Sequence, residues 1–169
     1  MLVGLSPDHC QDKILNMERP IGLDYLFTIT FFAPKLNSVG DTPYGKRIIA
    51  NVDGGHFEGP NIRGTVQSPA GDWLLIRADN SVQLDVRVSL ITHDDVLIYM
   101  SYQGLRVGDQ SVLDRLAAGD NVQPSEYYMR TTCRFETGQG KYDWLNSLLA
   151  IGTGQRFPDR VVYDIHQIT

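Results

Sequence analysis

Two segments of the chain alternate polar with apolar residues, and this alternation restricts the fold more than any other feature. The apolar sets are Val82, Leu84, Val86, Val88 and Leu90 in residues 81–92, and Tyr127, Met129, Thr131, Cys133 and Phe135 in residues 127–137. The polar sets are Gln83, Asp85, Arg87 and Ser89, and Tyr128, Arg130, Thr132, Arg134 and Glu136. Successive side chains of a strand point to opposite faces, so both segments are predicted strands with one polar face. In a small barrel these charges either line a polar site inside or are solvated outside.

Length and composition limit the class of protein. The chain has 169 residues, enough for one domain with a hydrophobic core, and 42% of them are hydrophobic. A net charge of -5 and the lack of a Lys/Arg cluster argue against a nucleic-acid partner. Cys10 and Cys133 have no motif spacing, and no apolar run approaches the roughly 20 residues that span a bilayer. We therefore expect a cytoplasmic protein without disulfides and without a membrane partner.

The remaining sequence predicts strands and turns with a single internal helix. Runs rich in β-branched and aromatic residues predict about nine strands, at 25–33, 47–52, 61–67, 73–77, 81–92, 96–102, 126–136, 148–152 and 161–166. A turn is predicted at 68–71, and a helix is predicted from an N-cap at Ser111 to a stop at Gly119. Residues 1–23 differ in character and are predicted to form an N-terminal arm. Residues 24–169 are predicted to form one barrel domain.

Six motifs in order resemble one known family. They are GGHFEGPNIRGTV (54–66), GDWLLIRAD (71–79), LDVRVSLIT (84–92), EYYMRTTCRFETG (126–138), YDWLN (142–146) and IGTGQR (151–156). Together they resemble the bacterial and fungal domain-of-unknown-function 3237 family, also called UPF-0311 proteins. The resemblance implies a lipocalin-like, closed antiparallel β-barrel with a central cavity, and it implies little about chemistry. His56 and Cys133 depart from the family pattern, and both are chemically capable side chains.

The first candidate constellation is formed by Asp72, Arg77, Asp85 and Arg87. A tight turn brings the strands that carry them together, so the four side chains are predicted neighbours. Inside a barrel, an Arg–carboxylate pair could hold a substrate carboxylate or enolate, because arginine offers a rigid fork of donors. The alternative interpretation is a cross-strand ion pair that fixes the register or holds the barrel together.

The second constellation is formed by Arg130, Glu136, Tyr142, Trp144 and Asn146. If Glu136 points into an apolar cavity, desolvation raises its pKa toward the range of a general acid or base. Tyr142 would then donate to a developing oxyanion, and Trp144 would stack on an aromatic ligand. The alternative is that Glu136 pairs with Arg134 or caps a loop.

Histidines provide the weakest candidates. His56 follows Gly54-Gly55 and precedes Glu58 by two residues, so it could act as a base whose tautomer is set by that carboxylate. The alternative is an accommodated side chain without a chemical role. The four histidines are scattered without metal-ligand spacing, so no metal site is predicted.

These observations lead to a functional hypothesis. The chain is predicted to be a cofactor-independent enzyme that moves protons on a largely apolar carbonyl or phenol compound in the barrel lumen, by isomerisation, cyclisation or lyase chemistry. The alternative is a carrier that binds such a molecule unchanged. A homodimer is expected as well. The predicted catalytic residues are Glu136, Asp85, His56, Arg87, Arg130 and Tyr142. The predicted ligand contacts are Phe57, Asp72, Trp73, Arg77, Tyr99, Tyr128, Trp144 and Asn146.

Overall fold

A single antiparallel sheet that closes on itself forms the protein in a computed structural model. The structure describes residues 20–32, 35–138 and 140–169. The strands are β1 (Leu23–Phe32), β2 (Lys35–Thr42), β3 (Gly45–Asn51), β4 (Gly55–Glu58), β5 (Arg63–Ile76), β6 (Val82–Thr92), β7 (Leu97–Gly108), β8 (Tyr127–Thr137), β9 (Ala150–Arg156) and β10 (Arg160–Ile168). Their order is β2-β3-β5-β4-β1-β10-β9-β8-β7-β6, and pairing of β5 with β6 closes the ring.

The ten strands make an eight-stranded barrel, because β1 and β2 together occupy one strand position and β3 and β4 together occupy another. β3 and β4 both pair with β5, one with each half of that long strand. β1 pairs with β4, and β2 pairs with β3, so the strand position of β1 and β2 lies next to that of β3 and β4. The predicted closed antiparallel β-barrel is confirmed. The interior of an eight-stranded barrel is wide enough either to be filled by side chains or to hold one small ligand.

One helix, α1 (Gln110–Ala118), follows β7. Gly119 ends it in the left-handed conformation (φ 86°), which glycine adopts without steric penalty. The N-cap is Asp109 rather than the predicted Ser111, so the helix begins before that residue. Two short 3-10 helices lie at Pro124–Glu126 and Asp143–Ser147. Among the described residues no helix has the length and apolar character needed to cross a membrane.

The structure decides which strand faces line the interior. The apolar sets of β6 and β8 are buried, and the charged sets lie on the outer surface. One end of the interior is filled by aromatic rings, with Phe27 centred 5.5 Å from Phe57 and 5.9 Å from Phe135. Leu145 of the second 3-10 helix is buried in the same core. The charges that dominate the sequence pattern are therefore solvated surface groups.

The structure corrects the predicted turn at 68–71 and adds one strand that the sequence did not predict. The predicted turn at 68–71 is wrong, because β5 continues through it with an irregular register between Gln67 and Ala70. Such a bulge accommodates a proline inside a strand. β2 has no counterpart among the predicted strands, since its side chains are nearly all exposed and do not alternate. The predicted arm covers residues 1–23, of which 1–19 lie outside the described residues, and Leu23 already belongs to β1.

Candidate functional site

A group of polar side chains lies inside the otherwise apolar barrel, and we call it the lumen cluster. Its members are Asp72, Tyr102, Arg106, Thr131, Cys133 and Tyr163. Strand pairing places them there: Val86 of β6 lies opposite both Asp72 and Tyr102, and Tyr102 lies opposite Cys133 of β8. Since directly paired residues point to the same face, these side chains share the inner surface with the buried Val86.

Two tyrosines form the centre of the lumen cluster. The rings of Tyr102 and Tyr163 are 5.3 Å apart between centroids, and Phe31 packs against both. Both residues are buried, and burial raises the pKa of each hydroxyl above its usual value. The two hydroxyls therefore remain protonated at neutral pH. Each can donate a hydrogen bond to an oxygen that gains negative charge.

Asp72 supplies the carboxyl group of the cluster. Its Oδ1 accepts a hydrogen bond of 3.0 Å from the backbone N–H of Asp85, which fixes the side chain beside β6. Burial raises the pKa of Asp72 to about 7, against the lowering effects of that hydrogen bond and of the Arg106 charge. A carboxyl group with this pKa is close to half protonated at neutral pH. It can therefore either accept or release a proton.

Arg106 completes the cluster on β7. It lies opposite Val82 and Met129, two buried residues, so its side chain starts on the inner face. Its Nε is buried and has no hydrogen-bond partner among the described residues. Burial lowers the pKa of its guanidinium group. A donor without a partner in such a position is unusual in proteins.

Cys133 is not a nucleophile in this setting. Burial raises the pKa of its thiol to about 11, and its Sγ lies 3.5 Å from the Thr131 hydroxyl. A thiol with a raised pKa carries almost no thiolate at neutral pH, and the thiolate is the reactive form. The lumen cluster therefore offers proton transfer and hydrogen bonding rather than covalent chemistry at sulfur.

The first predicted constellation is split between the two faces of the sheet. Only Asp72 faces the lumen. Asp85 and Arg87 form an ion pair of 3.4 Å on the outer face, and the Arg87 guanidinium lies 5.3 Å from the centre of the Trp73 ring. Arg77 is exposed and donates to Gln83. The structure thus places Arg77, Asp85 and Arg87 on the outer surface, separate from Asp72.

The second predicted constellation is also divided. Glu136 is exposed on the outer face opposite Tyr99, so the premise that it points into an apolar cavity is not met. Arg130 lies 5.2 Å from the centre of the exposed Tyr128 ring and donates to the carbonyl of Met129. Both residues border an open surface groove of about 560 Å³.

The other members of that constellation lie at the aromatic end of the barrel. Tyr142 is buried and donates to Asp94 at 2.8 Å, and Asp94 also accepts from Lys141 at 2.8 Å. Asn146 bonds both backbone groups of Thr137. Trp144 is partly buried against the core. Tyr142 therefore holds the segment that covers this end and is bonded to Asp94 rather than aimed at the lumen cluster.

His56 and Phe57 are neighbours in β4 and so point to opposite faces. His56 is exposed, with its ring centre 6.1 Å from that of Phe32, while Phe57 is buried among the core aromatics. Across the described ranges, no three His, Cys, Asp or Glu side chains are grouped to hold a metal ion.

Sequence reasoning missed Tyr102, Arg106 and Tyr163. The available signal was the position of a polar residue on the apolar face of a strand. Tyr102 and Arg106 continue the spacing of Ile98 and Met100, and Tyr163 precedes Ile165 by two residues. Searching the apolar faces for such single polar residues would have found all three.

Comparisons with known proteins agree with this fold. A UPF0311 protein from Rhodopseudomonas palustris (strain TIE-1) is 37% identical over 144 residues, which is 85% of this chain and 94% of that protein. The crystal structure of a beta-barrel like protein from Acinetobacter baumannii AYE matches with a TM-score of 0.78 and 34% identity, over 89% of this chain and 97% of the other.

A more distant structure shares the fold alone. It is an enzyme from Penicillium herquei, with a TM-score of 0.62 and 20% identity over 86% of this chain and 95% of that one. Residues 21–168 match the family model described as "Protein of unknown function (DUF3237)". With a match over most of its length and a relative at 37% identity, the chain belongs to the DUF3237 family.

Proposed function

We propose that the protein is a cofactor-independent enzyme that transfers protons on a small carbonyl- or phenol-containing molecule bound at the lumen cluster. The observation that carries this proposal is the partly buried Asp72 carboxyl near the two protonated hydroxyls of Tyr102 and Tyr163. Groups with perturbed pKa values that lie together in a barrel interior are typical of catalytic sites. The Penicillium herquei protein of this fold is described as an enzyme.

The chemistry follows from the protonation states. The Asp72 carboxylate removes a proton from the carbon next to a carbonyl group, and the electron pair moves onto the carbonyl oxygen to give an enolate. A hydroxyl of Tyr102 or Tyr163 donates a hydrogen bond to that oxygen and stabilises its charge. The protonated Asp72 then returns the proton to the same or a neighbouring carbon, which completes an exchange or an isomerisation.

Proton exchange in D2O tests this proposal without knowledge of the natural substrate. We expect the wild-type protein to replace the α-protons of a benzylic ketone such as 2-tetralone by deuterium, measured by proton NMR. Asp72→Asn should reduce the rate at least about 100-fold, the usual contribution of a general acid or base. Glu136→Gln, on the outer face, should exchange at the wild-type rate.

Two outcomes contradict the proposal. Loss of exchange in Glu136→Gln with normal exchange in Asp72→Asn would move the site to the outer surface. Ketone binding by the wild-type protein, seen as line broadening without any exchange, would favour the carrier.

A further inference from the structure

A second arginine lies at the same end of the interior as Arg106. Arg156 is the last residue of β9 and continues the inward spacing of Gly152 and Gly154, which are both buried. Its backbone N–H donates to the hydroxyl of Tyr127, a buried residue at the start of β8. Arg156 is itself partly buried, and burial lowers the pKa of its guanidinium. The charge of Arg156 also lowers the pKa of Arg106, so the two groups repel each other.

In the part of the chain that the structure describes, neither arginine has a countercharge in contact. Within the described residues, the ion pairs with an N···O distance of 4.0 Å or less include neither Arg106 nor Arg156. Neither guanidinium group donates a side-chain hydrogen bond to another described residue, and the Nε of Arg106 is buried as well. Buried charges in proteins are normally paired, because their desolvation is otherwise uncompensated.

Asp72 does not form an ion pair with either arginine. Its charge acts on Arg106, but no ion pair joins the two residues. With a pKa of about 7, Asp72 is neutral in about half of the molecules at neutral pH. Among the described residues, the charge around the two arginines is therefore net positive.

We propose that Arg106 and Arg156 bind a carboxylate group of the molecule that occupies the lumen. This inference rests on the proposed function and adds the substrate class, a small organic acid with an aromatic or apolar body. The guanidinium fork matches the geometry of a carboxylate, and a bound carboxylate would supply both the missing partner of Arg106 Nε and the missing countercharge. Tyr163 interacts electrostatically with Arg106, and its ring centre lies 5.3 Å from that of Tyr102, so aromatic surface lies near the arginines and favours an apolar body.

The test compares benzoate with its neutral isostere benzamide by isothermal titration calorimetry on the full-length protein. We expect benzoate to bind at least about tenfold more tightly than benzamide. Arg106→Gln and Arg156→Gln should each weaken benzoate binding at least about tenfold, which corresponds to about 1.4 kcal/mol. Arg134→Gln, on the outer face of β8, is the matched control and should bind benzoate as the wild type does.

Folding of the variants is checked by thermal unfolding, where loss of an unpaired interior charge should keep or raise the melting temperature. If Arg106→Gln does not fold, Arg106→Lys retains the charge without the fork, and we expect it to weaken benzoate binding as well. Equal binding of benzoate and benzamide, absence of benzoate binding, or unchanged binding in both arginine variants would overturn the proposal. Inorganic phosphate that binds more tightly than benzoate would overturn the assignment to a carboxylate.

The proposed carboxylate site and the proposed proton-transfer function can be refuted independently of each other. Asp72→Asn should lose ketone exchange while it retains benzoate binding. Exchange that depends on Asp72 without any benzoate binding would remove the carboxylate site alone. Benzoate binding that depends on Arg106, without exchange in the wild type, would remove the catalytic role alone.

Discussion

Replacing Asp72 with asparagine is expected to stabilise the protein at about pH 8 and to leave its stability nearly unchanged at about pH 4. In the folded protein the pKa of Asp72 is raised from 3.8 to about 7 by burial. The folded state therefore binds more protons than the unfolded state between these values, and the free energy of unfolding falls as the pH rises through this window. At about 1.4 kcal/mol per pKa unit, the loss in the wild type is on the order of 4 kcal/mol.

Urea unfolding at about pH 4, 6 and 8 measures this effect. Asparagine keeps an oxygen that can accept from the backbone N–H of Asp85, so the variant retains that contact. Asp41→Asn, on the exposed strand β2, is the control and should follow the wild-type curve. If the free energy of unfolding changes with pH in the same way for the wild type and Asp72→Asn, Asp72 does not titrate near neutrality.

The second large effect concerns Phe57, for which the sequence suggested a ligand contact. In the structure its ring is almost completely buried and packs on Phe27 at the aromatic end of the barrel. Phe57→Ala should therefore lower the free energy of unfolding by about 3–5 kcal/mol, the usual cost of such a cavity. The melting temperature should fall by roughly 10 °C for a chain of this size.

Phe32→Ala provides the matched control, because Phe32 lies at the end of β1 with 51% of its surface exposed. We expect it to cost less than about 1 kcal/mol. Wild-type stability of Phe57→Ala, measured by the same unfolding experiment, would contradict a packed aromatic end and would favour an open cavity there.

Much of the fold could be predicted from sequence because local patterns determine it. Alternation in β6 and β8 predicts strands, and Gly119 marks the end of the helix through its left-handed backbone. β2 could not be found, since an edge hairpin with both faces exposed has no alternation to reveal it. The 68–71 segment carries ordinary turn residues, and its pairing with β6 and, at Gly71, with β3 makes it part of β5.

The site was less predictable because alternation separates two faces without saying which one is inside. The charged faces of β6 and β8 carry conspicuous chemistry, yet they are solvated, while the interior uses single polar residues in apolar surroundings. Asp72 and Trp73, both predicted to contact the ligand, show that alternation does not identify the inner face. Adjacent residues of a strand cannot both face the lumen, and it is Asp72 that lies inside.

The most direct test of the central claim is a carbon-13 NMR titration of the Asp72 carboxyl group, assigned by comparison with Asp72→Asn. A lumen site for acid–base chemistry requires that burial hold this group near neutrality, and the structure predicts a pKa of about 7. That result would establish a proton donor and acceptor inside the barrel. A pKa near 4, the value of an ordinary exposed aspartate, would contradict the proposed role of the lumen cluster.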